Sequence, residues 1–492
     1  MRPVEILMTC LALAGAIFLL MGYPATQAAI LTFIQLILLL LVIHIGVDGP
    51  RWQLTPLYVA AAALLLCALT LLAVMGVNAA DLHWTHLVLR SAGALVLILT
   101  GGTLALCRLL PMFRLPTPTG PHAVGTRILY TVDSMRDAEG GSRPDCHREL
   151  MVQVWYPAQP KRGPRAVYRR REETTLKSSH HSLLRTHSLR DAPVLATDAP
   201  YPLLIFSPAW TGQRTQSTFL MQELASHGFV VASIDHTYYS GRVAFPDGRV
   251  LDGHMAPALG DFTYLSIQEG LELADQFLHI LTDDVIFVVD AMTELNGTPD
   301  SGWYHCLDLS SIGALGHSIG GAAAAEACRR DGRILAALNL DGWSFGDVLR
   351  HGLSKPWMVI YGKGVEVEPP NPAEQPEGVR RYWQVNRENF AIVEEALRRH
   401  GGYCMTIAGA SHWNFSDRPL YSPLRSHTGG GDIDAARGHR IIADAALAFF
   451  TESLHRRDGL LVADAMRRYP EVALLVQPDD SGKPVVGSRV VR

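Results

Sequence analysis

Cysteine is sparse and unpatterned in this chain: seven in 492 residues, with no C-x-x-C and no metal-binding spacing. Cys10, Cys67 and Cys107 lie in apolar runs, while Cys146, Cys306, Cys328 and Cys404 are scattered. An odd, scattered set argues against a disulfide framework and favours a reducing compartment. A charge of one sign is also missing: the formal net charge is −4, so nothing global suggests a nucleic-acid partner. The first apolar run lacks a clear small-residue cleavage site, which argues against a signal peptide removed on export.

Long apolar stretches are abundant, but only in the first 110 residues. Four runs, Ile6–Met21, Ala28–Ile45, Leu57–Val77 and Leu87–Leu106, carry almost none of the charges that interrupt ordinary core helices. Most are long enough to cross about 30 Å of hydrocarbon. Arg2, Arg51, Arg108 and Arg114 then fall on one side, with Asp81 and Arg90 towards the other. That asymmetry favours cytoplasmic termini and places the chain beyond the fourth run on the same side. The lipid bilayer is thus an expected partner. No pattern specifies an oligomer.

Leu115–Pro121 is a proline-rich linker, and the composition changes after it. Thr126–Val132 and Glu149–Tyr156 read as an antiparallel pair of strands. Lys161–Arg190 is a polar insertion with nine Lys or Arg and only two Glu. It reads either as a solvated loop or as a contact for anionic lipid head groups. From Tyr201 onward, apolar strands alternate with helical patterns: strands Pro202–Phe206 and Phe229–Ile234, then a helix at Ile267–Asn296. Further strands follow at Ser311–Leu315, Ile334–Leu340, Trp357–Tyr361 and Tyr403–Ala408, with a last helix at Ile433–Leu454. This alternation predicts a mostly parallel α/β sheet with helices on both faces and the antiparallel pair at one edge. The expected organisation is a membrane region over 1–114 and an α/β domain over 115–455, carrying the basic insertion 158–200. A tail over 456–492 completes it.

The chemistry gathers around Gly316-His317-Ser318-Ile319-Gly320-Gly321. A bare G-x-S-x-G is a weak signal. Here it lies between a short apolar strand and an Ala-rich helical stretch, Ala322–Arg330, the setting of a nucleophile elbow. The turn lifts the Ser318 hydroxyl clear of the sheet and places the Ile319 N–H at a helix start, free to bind an oxyanion. A serine needs a base, and the base needs a carboxylate to fix its tautomer. On such a sheet these follow the serine in chain order, at the carboxyl ends of strands.

Asp341, after Ile334–Leu340, and His412, after Tyr403–Ala408, meet both conditions. Asp235 also ends a strand but precedes the serine; it is the rival acid, or with His236 it orders the loop around the site. His317 reads as a brace for the turn, and His351, His400 and His427 as peripheral. The second oxyanion donor is sought in Ser207-Pro208-Ala209-Trp210-Thr211-Gly212. Proline has no N–H, which leaves the Trp210 backbone N–H as the best candidate.

With these residues in place, Gly120–Phe450 resembles the platelet-activating factor acetylhydrolase family, in its plasma and type II intracellular forms. The likeness is carried by Gly120–Thr126 with Leu150–Pro157, by Phe206-Ser207 with Arg214-Thr215, and by Glu223–Val231. Gly316–Gly321, Asn339–Trp343 and Ser411–Phe415 complete it. The resemblance implies an α/β-hydrolase fold and a calcium-independent serine esterase that removes short or oxidised acyl chains from phospholipids. Ser318 would be its nucleophile, Asp341 its acid and His412 its base, with oxyanion donors at Trp210 and Ile319 and no metal or organic cofactor. Pro208-Ala209 departs from the family's usual His-Gly and makes this loop stiffer. The apolar N-terminus lies outside the resemblance. Two rivals stand beside this reading: an esterase or thioesterase of the same fold acting on a non-lipid ester, and an inactive hydrolase domain used for binding.

Overall fold

The computed structural model describes the chain except residues 23–24, 76–82, 138–146, 161–162, 198, 254–266, 363–370, 372–373, 456–460, 479–483 and 487–492. Asp81 and Cys146 therefore lie outside the described residues. The chain forms two compact units: 1–113 with 169–184 and 421–424, and the remainder.

The first unit is built on helices α1 (Pro3–Met21), α2 (Gln27–Ile43), α3 (Thr55–Val74) and α4 (His83–Leu109). Four helical segments, Pro3–Met21, Gln27–Asp48, Trp52–Val74 and Trp84–Leu109, are long and apolar enough to cross a membrane. The side chain of Thr26 caps α2 by accepting the Ala29 N–H at 3.2 Å, and Gly22 ends α1 at φ 67°. Small residues let α1 and α4 approach: a Cβ on Gly93 would lie 2.9 Å from the Ala16 carbonyl oxygen. Charge is paired near the helix ends, buried Glu5 of α1 with buried Arg51 ahead of α3, and Asp48 beyond α2 with half-buried Arg2.

Part of the basic insertion belongs to this unit. Arg2 Nη2 donates to the Leu183 carbonyl at 3.0 Å, and the Trp52 indole donates to the Lys177 carbonyl at 3.2 Å. Glu173, His180 and His181 are buried. The solvated-loop expectation is thus corrected: two 3₁₀ turns, Arg171–Glu173 and Leu176–Leu183, fold this stretch against the helices.

In the second unit the chain runs β1 (Ala123–Asp137), β2 (His147–Ala158), β3 (Arg165–Val167), β4 (Arg185–Arg190) and β5 (Tyr201–Ser207). It continues through α5 (Thr218–Ser226), β6 (Val230–Asp235), β7 (Arg242–Ala244), β8 (Val250–Asp252) and α6 (Ile267–Gly297). After these come β9 (Leu307–His317), α7 (Ile319–Arg330), β10 (Ile334–Leu340), α8 (Gly346–His351) and β11 (Trp357–Tyr361). Last are α9 (Glu377–His400), β12 (Tyr403–Ile407), α10 (Arg425–Thr428), α11 (Ala435–Leu454), α12 (Leu461–Met466), β13 (Val472–Pro478) and β14 (Pro484–Val486).

One sheet holds most strands, in the order β14-β13-β12-β11-β10-β9-β5-β6-β2-β1-β4-β3. β6, β5, β9, β10, β11 and β12 are mutually parallel. Buried from both faces, they read as unbroken apolar runs such as Leu203–Phe206 and Val230–Ala232. α5 packs with α11, while α6 packs with α7 and α7 with α8, so the helices cover the sheet in two groups. This is the α/β-hydrolase arrangement. Strand order reverses between β5 and β9, so a crevice opens at their carboxyl ends.

Two expectations need correcting. The β1–β2 hairpin is not the sheet edge, because β4 pairs parallel to β1 and β3 follows it. Residues 456–492 are more than a tail: β13 pairs antiparallel to β12 and closes the other flank of the parallel core. Both additions draw their stability from long-range pairing, which local pattern does not display.

Candidate active site

β9 runs straight into the elbow. Ser318 holds φ 58° and ψ −131°, a conformation that costs an L-residue energy and persists only where the surroundings fix it. The surroundings do so by close packing. A Cβ on Gly316 would fall 2.1 Å from the Gly320 carbonyl oxygen, and one on Gly320 would fall 2.1 Å from the Ser207 carbonyl oxygen. The second contact also shows how tightly the end of β5 is pressed against the first turn of α7. Ser318 stays partly exposed, and its N–H is held by the Leu340 carbonyl at 2.9 Å.

Asp341 leaves β10 at φ 54°, with its own N–H on the Ile360 carbonyl at 2.7 Å. Its Oδ1 accepts the Gly362 N–H at 2.6 Å, and its Oδ2 lies 2.7 Å from His412 Nδ1. A carboxylate only accepts, so this contact sets the His412 tautomer: Nδ1 carries the proton and Nε2 is left basic. The Asp341 side chain is 11 % exposed and that of His412 39 %, so the carboxylate is sheltered and the imidazole reaches solvent. Among the described residues Ser318 Oγ has no hydrogen-bond partner, and its link to His412 is open in this resting geometry.

Two backbone donors near the elbow lack an acceptor among the described residues. The Ile319 N–H opens α7, where the first turn has no intrahelical acceptor. In the β5 loop, Ala209 N–H goes to Gln216 Oε1 at 3.1 Å, Thr211 N–H to the Tyr239 carbonyl at 3.1 Å, and Gly212 N–H to the Ala209 carbonyl at 2.7 Å. Among the described residues the Trp210 N–H alone in this run of donors has no acceptor.

The other candidates fall elsewhere. Asp235 is fully buried and takes both the backbone N–H and the guanidinium of Arg214. His236 bonds Ser207 and Asp284. His317 lies between elbow and histidine loop: Gln216 Nε2 donates to its Nδ1 at 2.6 Å, and its Nε2 donates to the His412 carbonyl at 2.9 Å. Burial, reinforced by His412, holds His317 well below the usual imidazole range, so it braces as a neutral ring. His351, His400 and His427 are exposed.

Gln216, which ties the β5 loop to His317, was not singled out by sequence reasoning. Its only sequence signal is its place beside Arg214-Thr215. Asp284 was missed too, because a lone aspartate on a long helix reads as a solvated residue.

Three comparisons bear on this geometry. Residues 111–246 and 303–460, more than half of the chain, match the profile of platelet-activating factor acetylhydrolase, isoform II. A probable 1-alkyl-2-acetylglycerophosphocholine esterase of Arthroderma benhamiae is 26% identical over 399 residues, covering 74% of this chain and 94% of that protein. The platelet-activating factor acetylhydrolase of Cavia porcellus is 23% identical, covering 69% of this chain and 78% of its own. A solved ferulic acid esterase from Streptomyces cinnamoneus superposes with a TM-score of 0.59 at 28% identity, covering 74% of this chain and 99% of that structure. The likenesses all fall on the esterase class that the elbow announces, and the chain belongs to the platelet-activating factor acetylhydrolase, isoform II family.

Proposed function

We propose that this chain is a membrane-anchored serine esterase that hydrolyses the short or oxidised sn-2 acyl ester of phospholipids through an acyl-enzyme. The observation that carries the reading is the pairing of a strained elbow serine with a histidine whose Nδ1 is bonded to a sheltered aspartate. Ser318 Oγ attacks the ester carbonyl as its proton passes to His412 Nε2. The Asp341 carboxylate holds the imidazolium that results. Charge on the carbonyl oxygen is met by the N–H groups of Ile319 and Trp210. Collapse breaks the ester C–O bond, and the His412 imidazolium gives its proton to the departing oxygen, releasing the lysophospholipid alcohol. Water, deprotonated by the same histidine, then adds to the acyl carbon and frees Ser318 and the carboxylic acid. These steps draw only on protein side chains and backbone.

An apolar acyl group suits the surroundings. Trp210, Ile319 and Trp343 pack against a buried cluster that includes Tyr239, Phe277 and Phe345. The four N-terminal helices would hold the enzyme at its substrate's surface. Arg2 with Asp48 and Arg51 with Glu5 bring together the amino end of α1, the carboxyl end of α2 and the approach to α3, as an up-and-down bundle requires. With Arg108 in the last turn of α4 and Arg114 shortly after it, this favours a cytoplasmic catalytic unit. Reporter fusions at the C-terminus and within residues 78–84 test the side. Periplasmic alkaline-phosphatase activity from the C-terminal fusion would reverse it.

A non-lipid carboxylic ester is the second reading, favoured by the likeness to a ferulic acid esterase. One experiment separates the two: turnover on phosphatidylcholines with sn-2 chains from acetyl to palmitoyl, beside methyl ferulate. Preference for the short-chain phospholipids supports the first reading, and preference for the ferulate ester overturns it. Ser318→Ala should abolish both turnover and fluorophosphonate labelling while the protein still folds, because alanine fits the turn.

A further inference from the structure

A second Ser–His–Asp chain lies wholly buried in the catalytic unit. Ser207 Oγ is 2.8 Å from His236 Nε2, and His236 Nδ1 is 2.9 Å from Asp284 Oδ2. Ser207 and Asp284 are 0% exposed and His236 is 1% exposed, so Ser207 cannot meet a substrate. The chain is nonetheless fully polarised. Arg148 donates to Asp284 through Nε at 3.0 Å and Nη2 at 2.5 Å, and Arg136 adds Nη2 at 2.9 Å. Burial opposes the charge on Asp284, but Arg148 and His236 outweigh it and hold the carboxyl below its ordinary range. Burial, in turn, keeps His236 below the usual imidazole range. An ionised Asp284 accepts from Nδ1–H, which leaves the neutral Nε2 to accept the Ser207 hydroxyl proton.

What this chain fastens is the segment that enters the oxyanion loop. Ser207 ends β5, and three residues later comes Trp210. The other end of that segment reaches the same helix, because the Trp210 ring lies 5.1 Å from that of Phe277, which shares α6 with Asp284. The turn after His236 closes over the loop: Thr211 N–H bonds the Tyr239 carbonyl at 3.1 Å, and Gly241 N–H bonds the Gly212 carbonyl at 3.3 Å. Pro208-Ala209 offers no side-chain donor of its own. Ser207 and His236 lie inside the first segment that matches the family profile, whereas Asp284 lies between the two segments.

We propose that His236, oriented by Asp284, is a positioning residue for the oxyanion hole, fixing Ser207 so that the Trp210 N–H is held for the transition state. The proposal rests on the reading of Ser318 as nucleophile with Trp210 and Ile319 as donors. It is tested on the full-length enzyme in detergent with Ser207→Ala, which removes one atom from the relay and leaves the fold's packing in place.

The measurements are kcat and KM for 4-nitrophenyl acetate and Ki for an aryl trifluoromethyl ketone, whose adduct with the serine carries the oxyanion. All are normalised to folded protein. Loss of one oxyanion donor costs about 10²–10³ in kcat, and loss of its support is expected to cost about 10- to 100-fold. KM should stay within about twofold, and Ki should weaken in parallel with kcat/KM. Should Ser207→Ala fail to accumulate, Ser207→Cys, nearly isosteric but a weak donor, is read the same way. A kcat within twofold of wild type, or a fall in kcat with Ki unchanged, overturns the proposal. Wild-type turnover by Ser318→Ala would instead overturn the esterase reading itself, so the two failures are distinguishable.

Discussion

At the scale of single residues, the two strand-end aspartates separate by what they touch. Asp341 holds the imidazole of His412 and one backbone N–H. Asp235 holds Arg214, and that pair is fully buried. Asp341→Asn keeps the shape but admits the wrong histidine tautomer, and is expected to lower kcat by about 10⁴ with melting temperature unchanged. Asp235→Asn leaves a guanidinium buried without its counter-charge. It should cost about 3–5 kcal/mol of stability while turnover per folded molecule stays near wild type. Kinetics and thermal melts on the same preparations decide. If Asp235→Asn were the catalytically dead, fully stable variant, the acid would have to be reassigned.

The route to these residues shows which signals are local. Gly316 and Gly320 announce the elbow because backbone lies where their side chains would be, a constraint visible in six residues of sequence. Chain order then led to Asp341 and His412, which a hydrogen bond joins. The Ser207–His236–Asp284 relay has no such signature. Its members are 29 and 48 residues apart: the pairing of β5 with β6 sets Ser207 beside His236, and the packing of α6 on the sheet brings Asp284 to them.

At the scale of elements, the strands that escaped a sequence reading are those stabilised by partners rather than by their own pattern. β4 buries Thr186 and Ser188, polar side chains whose burial is met by the Ala166 carbonyl and by Gln222. A hydropathy pattern therefore shows no alternation there. β13 is apolar, but it follows the last helix after a break and looks like a terminal appendage. Its pairing with β12, and the two contacts of Glu471 with Arg437, make it the cover of the parallel core. Ending the chain after residue 470 would turn β12 into a bare edge rich in unpaired amides. Such a truncation is expected to lose soluble yield and to aggregate on mild heating. Monomeric, wild-type-like material on size exclusion would show that the strand is dispensable.

At the scale of the whole molecule, burial of neutral imidazoles sets an acid limit. His439 stacks on Phe219 at 3.9 Å, gives its Nε2 to the Ser416 carbonyl, and is pushed down by burial to about 4. Burial lowers His236 and His317 as well. In the unfolded chain each would titrate near 6.5. Below that pH the unfolded state binds protons that the folded state refuses, so stability is complete above about 6.5 and declines towards about 4. His439 alone accounts for roughly 3 kcal/mol across that window. Melting temperature should therefore fall steeply between pH 6.5 and 4.5, and His439→Gln should flatten part of the slope. A melting temperature constant over that range would contradict the sign.

The return of residues 169–184 to the helical unit changes what cleavage can accomplish. In many anchored enzymes one cut in the stalk sheds the catalytic part into solution. Here a nick in Leu115–Pro121 severs the peptide chain without parting the pieces. The segment held by Arg2 and Trp52 lies downstream of the cut, so it keeps the downstream fragment tethered to the helices. Release would require dismantling that second attachment, and the folded enzyme is in this sense built against shedding.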